Sequence, residues 1–344
     1  MHIVTIDGMK DLVRHIAVRH DHPLMIWGGF GIGKSEGVAQ IARDLDAVLC
    51  DVRLSQYDSV DLRGVPLADR ETQSTRWLQP EALPFVGNDL FPDDKIIVLF
   101  LDEMTSATIS VQAAAYQLVN DRKVGEHMLK PNVRIVAASN RDGDRGVVNR
   151  QPMPLANRFV HCEMVPDVTA WIKHALDVGL PPIAAGFYQF RKDLLFTYDP
   201  SKPNPDKAIA TPRTSEKAWR YYADPDLPIA TKRAAMAGAV GQGVATEIWA
   251  FVDVWQDVIK LLPQILKNPQ DAPIPKEPAM MWALSTYLAG EMTAKTAKAI
   301  NAYGARLEQD HYVLMWTLAV RRDKALYATK EFIEYSKSAV TLFS

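Results

Sequence analysis

A glycine-rich segment at residues 28–35, with the sequence GGFGIGKS, limits the possible folds of this chain more than any other feature. It fits the pattern G-x-x-x-x-G-K-[S/T]. An apolar run at 24–27, typical of a strand, precedes it, and apolar residues at helical spacing follow at 38–45. In this setting the glycines let backbone N–H groups turn toward phosphate oxygens, and the helix N-terminus adds its positive end. The segment therefore predicts a phosphate-binding loop in an α/β fold.

Two side chains of this loop have separate predicted roles. We expect Lys34 to reach the terminal phosphates of a bound nucleotide and Ser35 to ligate Mg²⁺. The alternative is an ordinary glycine turn that opens a helix, although the pattern arises by chance in only about one per cent of chains of this length. The predicted ATP-binding residues are Gly28, Gly29, Phe30, Gly31, Ile32, Gly33, Lys34, Ser35 and Glu36.

An acidic pair follows the continuous apolar run at residues 96–101. Such a run is typical of a central parallel strand, and we expect this strand to neighbour the strand of the glycine loop. Asp102 would then hold Mg²⁺ through its water shell, and Glu103 would orient and polarise the attacking water. Taken alone, the pair would more often cap a helix. Because a phosphate-binding loop precedes it, we favour the catalytic interpretation.

Three further polar residues are candidates for the same chemistry. Asn140 ends an apolar run at 133–138, where it could contact the γ-phosphate or the attacking water, or only form a turn. Arg158 ends a short predicted helix and could reach the ATP site of a neighbouring subunit as an arginine finger. Arg213 begins a helix of the second half and could add a further positive charge. Competing finger candidates are Arg141, Arg145 and Arg150.

The order of predicted elements divides the chain. Strands alternate with helices over about 165 residues, which predicts a doubly wound parallel sheet. A hairpin-like insertion is expected near 65–77 and a small hairpin at 123–129. Only helical patterns follow. We predict three parts: an α/β nucleotide-binding domain at 1–165, an all-helical lid domain at 166–262, and a linker with a C-terminal helical extension at 263–344.

Composition limits the binding partners and the cellular compartment that can be expected for the protein. Lysine and arginine (39) nearly balance aspartate and glutamate (41), so no overall positive field draws the chain to nucleic acid or to an anionic membrane. The N-terminus lacks the pattern of a secretory signal, and the longest apolar run is too short to span a bilayer. The two cysteines, Cys50 and Cys162, lie in apolar runs and suit a reducing compartment. We expect a cytoplasmic protein.

The order of these motifs resembles that of the AAA+ ATPases. The residues 154–159 and 211–213 look most like the MoxR branch, although Arg141 stands where that branch usually has proline. The resemblance implies Walker A at 28–35, Walker B at Asp102 and Glu103, sensor 1 at Asn140, an arginine finger at Arg158 and sensor 2 at Arg213. It also implies a hexameric ring that hydrolyses Mg²⁺·ATP and remodels a partner protein, commonly one with a von Willebrand A-type domain.

The sequence is also compatible with two other functions. AAA+ cores also power DNA-associated motors and loaders, although the balanced charge does not favour nucleic acid, and such binding would fall steeply with salt. The chain could also be an ATP-dependent scaffold with little turnover, and the presence of Glu103 argues against this. The sequence indicates neither the cargo nor the partner.

Overall fold

The computed structural model describes residues 1–71, 73–141, 153–201 and 207–340, without the side chains of Pro154 and of 338–340. The described residues form two compact units. The first contains Met1–Asp167, and the second contains Val168–Asp199 and the described chain from residue 207 onward. Among the described residues, no helix is both long and apolar enough to cross a membrane.

A six-stranded parallel sheet forms the centre of the first unit. The strands are β1 (His2–Val4), β2 (Leu24–Trp27), β3 (Val48–Arg53), β6 (Ile97–Asp102), β9 (Val133–Ser139) and β10 (Val160–Met164). Their order in the sheet is β1-β10-β2-β9-β6-β3. From β2 the chain crosses to the edge strand β3, returns through β6 and β9, and then reaches β10 on the other side of β2.

Burial explains which of these strands lie in the middle of the sheet. Every residue of β2 and β6 is buried, as expected for apolar runs that are covered on both faces. The edge strand β3 instead alternates buried and exposed residues over its second half. The predicted parallel α/β fold is confirmed, whereas the three-residue edge strand β1 was not predicted.

The predicted neighbour of the glycine-loop strand is wrong. We expected β6, which carries Asp102 at its end, to lie beside β2, but β9 lies between them. All three are buried apolar runs, so their hydrophobic pattern does not distinguish one lateral order from another. The residue that pairs with Trp27 in the sheet is Ser139, at the end of β9.

Helices and two hairpins complete the first unit. Thr108 begins one helix by accepting a hydrogen bond from the backbone N–H of Val111 through its hydroxyl (3.5 Å), which is a common N-cap. The helices are α1 (Ile6–Leu12), continued by a π-helix (Val13–Arg19), α2 (Lys34–Asp44), α3 (Ser59–Arg63), α4 (Ile109–Asp121) and α5 (Met153–Ala156). The hairpins are β4 (Val65–Asp69) with β5 (Ser74–Leu78), and β7 (Lys123–Val124) with β8 (His127–Met128).

The described part of the second unit is helical and has one continuous apolar core. Trp219, Tyr188, Trp316 and Tyr303 are its largest fully buried side chains. Helices from both sides of residue 263 contribute to this core, and the segment predicted as a linker contains most of a short helix, Leu262–Lys267. The helices are α6 (Val168–Asp177), α7 (Pro182–Phe190), α8 (Pro212–Ala223), α9 (Ile229–Val240), α10 (Gln242–Ile259), α11 (Leu262–Lys267), α12 (Pro278–Glu291), α13 (Ala297–Gly304), α14 (Gln309–Arg322) and α15 (Lys330–Val340).

Candidate functional site

The glycine loop connects β2 to α2, as its sequence pattern predicts. A Cβ atom at Gly28 would lie 2.5 Å from the carbonyl oxygen of Met164 and 2.7 Å from Cδ1 of Ile32, so no larger residue fits there. Gly31 and Gly33 have φ values of 70° and 99°, which L-amino acids with side chains rarely adopt. The sequence therefore forms this tight loop because glycine occupies these three positions.

Lys34 is the first residue of α2, and its side chain folds back onto the loop. Its Nζ donates hydrogen bonds to the carbonyl oxygens of Gly28 (2.7 Å) and Gly29 (2.9 Å) and to Oδ1 of Asn140 (3.2 Å). The residue is only 8% exposed, and a buried ammonium group needs such partners. The structure thus brings Asn140, the residue after β9, to the amine that is expected to bind phosphate.

Ser35 contacts the carboxylate of Asp102, the last residue of β6. Its hydroxyl donates to Oδ2 of Asp102 (2.7 Å), while Oδ1 of Asp102 accepts from the backbone N–H of Glu103 (2.8 Å). Both carboxylate oxygens are therefore held in place. A hydroxyl beside a carboxylate provides hard oxygen ligands, and Mg²⁺ is usually held by few protein oxygens together with waters and substrate phosphates. This pair fits Mg²⁺.

Glu103 has a left-handed backbone conformation, with φ 56° and ψ 35°. This conformation is uncommon for a residue with a side chain, and such residues often lie at functional sites. The exposed Glu103 carboxylate accepts a short hydrogen bond from the hydroxyl of Ser55. Ser55 was not predicted from the sequence. No local sequence signal identifies it, because Ser55 comes beside the acidic pair only through the pairing of Arg53 with Asp102 in the sheet.

A buried pair of hydroxyls joins the ends of β6 and β9. Thr105 and Ser139 share a short hydrogen bond, and the backbone N–H of Thr105 donates to Oγ of Ser139 (3.2 Å). Both residues are at most 1% exposed. Because Ser139 directly precedes Asn140, this pair fixes the acidic turn and the asparagine relative to each other. Neither hydroxyl was predicted from the sequence to be part of the site.

Burial raises the pKa values of three groups on the sheet: Asp51 and Cys50 on β3 and Cys162 on β10. Loss of hydration and the nearby negative charge of Asp102 raise the pKa of Asp51, against the opposing effect of Arg53. The field around Asp102 is thus negative enough to affect a carboxylate on the next strand. Burial raises the pKa of the Cys50 thiol to about 12 and that of Cys162 to about 11. Both cysteines are therefore protonated at neutral pH and behave as buried apolar residues.

The remaining loop residues have different surroundings. Ile32 is buried, and its Cδ1 packs against the backbone at Gly28. Glu36, in the first turn of α2, is exposed, and its carboxylate accepts from Nη2 of Arg43 at 2.8 Å. The Glu36 side chain is therefore engaged in an ion pair with Arg43 on the surface of α2. For these residues a contact with phosphate would come from the backbone.

The predicted arginines are not equivalent. Arg158 follows α5 and is exposed, and its side chain forms no ion pair with any residue in the described part of the chain. Nε of Arg141 instead lies 2.7 Å from Oε1 of Glu163 on β10. Arg213 is exposed near the start of α8, in the second unit, and its role stays a prediction. Arg145 and Arg150 lie outside the described residues.

No protein-family model matches this sequence, and neither does any curated protein sequence. Among solved structures, the chain is similar to NtrX of Brucella abortus in complex with ADP, with 13% identity, a TM-score of 0.40, and coverage of 97% of this chain and 66% of that one. It is also similar to RuvB of Thermotoga maritima, described as a Holliday junction branch migration motor, with 14% identity, a TM-score of 0.40, and coverage of 82% and 80%. The fold and the loop geometry define the class of this chain as a P-loop α/β protein.

Proposed function

We propose that the chain is a Mg²⁺-dependent ATPase of the AAA+ type. The observation that carries this proposal is the convergence of the glycine loop with two strand ends. The Ser35 hydroxyl meets Asp102 at 2.7 Å, and Lys34 Nζ meets Asn140 at 3.2 Å. A loop that only opens a helix would require neither contact.

The geometry supports a separate role in ATP hydrolysis for each of these residues. Lys34 would neutralise charge on the terminal phosphates, and Ser35 with Asp102 would hold Mg²⁺, which supplies further positive charge to the phosphates. Glu103 would orient and polarise the attacking water. Asn140, which is already hydrogen-bonded to Lys34, would contact the γ-phosphate or this water.

The exposure of Arg158 supports assembly into a homo-oligomer, most simply a hexameric ring. An arginine from a neighbouring subunit can stabilise the charge that develops on the transferred phosphoryl group. We further propose the MoxR-like function of remodelling a partner protein, with a protein that carries a von Willebrand A-type domain as the candidate partner. The motivation is the match of residues 154–159 and 211–213 to the forms of that branch.

Phosphate release from ATP, measured against Mg²⁺ concentration, tests the proposed activity. We expect EDTA to abolish release by the wild-type chain. Ser35→Ala should raise the Mg²⁺ concentration that gives half the maximal rate by about tenfold, because removing groups that support a metal site commonly costs about 10- to 100-fold in affinity. The exposed Ser110 gives a matched control, Ser110→Ala, which should behave as wild type. Equal phosphate release with and without EDTA would contradict the proposal.

A further inference from the structure

An ion pair crosses the end of the glycine-loop strand. Arg141 directly follows Asn140 after β9, and its guanidinium Nε lies 2.7 Å from Oε1 of Glu163 on β10, an ion pair without the N–H geometry of a hydrogen bond. The strand β2 lies between β9 and β10, and its last residue, Trp27, pairs in register with both Ser139 and Glu163. The ion pair therefore spans two strand spacings, roughly 10 Å, at the point where the glycine loop begins.

The same face of β10 makes a second link. His161 and Glu163 are two residues apart, so their side chains lie on one face of the sheet. Nδ1 of His161 accepts from the indole Nε1 of Trp27 (2.8 Å), which leaves Nε2 to donate to the carbonyl oxygen of Ala156 (2.6 Å). Strand β10 thus makes two contacts near the glycine loop. His161 binds Trp27, which directly precedes the loop, and Glu163 pairs with Arg141, which directly follows Asn140.

Stability alone does not account well for the Arg141–Glu163 pair. The two side chains are 37% and 24% exposed, and ion pairs between partly exposed side chains contribute little to stability. The position of the pair is more informative. Arg141 is joined to Asn140 by one peptide bond, and the Asn140 side chain is 3.2 Å from Lys34 Nζ. Holding the Arg141 side chain limits how far the Asn140 backbone can move.

We propose that Arg141, held by Glu163, is a positioning residue for Asn140 in ATP hydrolysis. This inference rests on the proposed ATPase function and assigns Arg141 a role within its own subunit, as opposed to that of a finger. Glu163 is the fixed partner, because it lies within β10 between β1 and β2. Asn140 makes the contact with Lys34, and Arg141 acts through it.

The first test measures kcat and the Kd for ATP separately. We expect Arg141→Ala to lower kcat about tenfold, since a small misplacement of a catalytic group can cost up to about 10²-fold, and to change Kd less than about twofold. The charge-reversed double variant Arg141→Glu/Glu163→Arg should recover most of kcat. As a matched control, Asp21→Asn weakens the part-exposed pair with Arg122 (3.2 Å) at the opposite end of the sheet and should leave kcat unchanged. Thermal unfolding identifies any variant that loses its fold.

A double-mutant cycle separates positioning from a general structural effect. In an Asn140→Ala background, adding Arg141→Ala should lower kcat no further, because the two residues act as one unit. If the two substitutions instead lowered kcat by factors that multiply in the double variant, the two residues would act independently and the inference would be overturned. So would recovered activity on mixing Arg141→Ala with Glu103→Gln subunits, since this would show Arg141 acting across subunits. If wild-type protein hydrolyses ATP while Arg141→Ala matches it, only this inference fails. If the wild type does not hydrolyse ATP, both proposals fail.

Discussion

Arg158→Ala is expected to lower ATP turnover by about 10³- to 10⁵-fold, the largest effect of any single substitution considered for this chain. An arginine finger stabilises charge that develops only in the transition state, so its loss lowers kcat far more than ATP affinity. Arg158 is exposed after α5 and forms no ion pair with the described residues of its own chain. Steady-state phosphate release and a separate titration with ATP measure the two effects.

Mixing variants decides whether Arg158 acts on a neighbouring subunit. Arg158→Ala subunits retain Glu103, and Glu103→Gln subunits retain Arg158. If the finger acts between subunits, mixed assemblies contain some complete sites, and part of the activity returns. The exposed Arg63 gives the control variant Arg63→Ala, which should be as active as wild type. A wild-type rate for Arg158→Ala, or no recovery in the mixture, would show that Arg158 does not act in this way.

Glu103→Gln is expected to lower kcat by about 10²- to 10⁴-fold while ATP still binds, because a positioned general base commonly contributes a factor of this size. The substitution keeps the shape of the side chain and removes its ability to accept a proton. The hydrogen bond from Ser55 can still be made to an amide oxygen, so the local fold should survive. Single-turnover hydrolysis and equilibrium binding of ATP distinguish the chemical step from affinity.

The control for this substitution is Glu126→Gln. Glu126 is exposed in the turn between β7 and β8, and its replacement should leave both kcat and ATP affinity unchanged. Persistent hydrolysis by Glu103→Gln at more than about one tenth of the wild-type rate would assign the attacking water to another group. A turnover that is already negligible in the wild type would instead support an ATP-binding scaffold.

Local sequence signals were sufficient to predict most elements of the first unit. The strands at Leu24–Trp27 and Ile97–Asp102 have apolar runs bounded by glycines or acidic residues, so their length and burial follow from composition. The glycine loop was predicted because its φ angles restrict the residues that fit there. In each case the information lies within about ten consecutive residues.

Contacts between distant segments were not predictable in the same way. The insertion of β9 between β2 and β6, the bond between Ser55 and Glu103, and the Arg141–Glu163 pair all join residues that are far apart along the chain. Each depends on the lateral order and register of the strands, and the hydrophobic pattern does not distinguish these. Helices on both sides of residue 263 share one apolar core, and the proline residues of that segment give no local sign of it.

The central claim is that Lys34 and the surrounding glycine loop bind the phosphates of Mg²⁺·ATP. Calorimetric titration of Lys34→Ala with Mg²⁺·ATP tests this claim most directly, with Lys123→Ala, an exposed lysine of the β7–β8 hairpin, as control. We predict that Lys34→Ala weakens binding by about 10- to 100-fold, which corresponds to the loss of a hydrogen bond to a charged group, and that Lys123→Ala binds as wild type does. Equal ATP affinity in folded Lys34→Ala and wild-type protein would contradict the account.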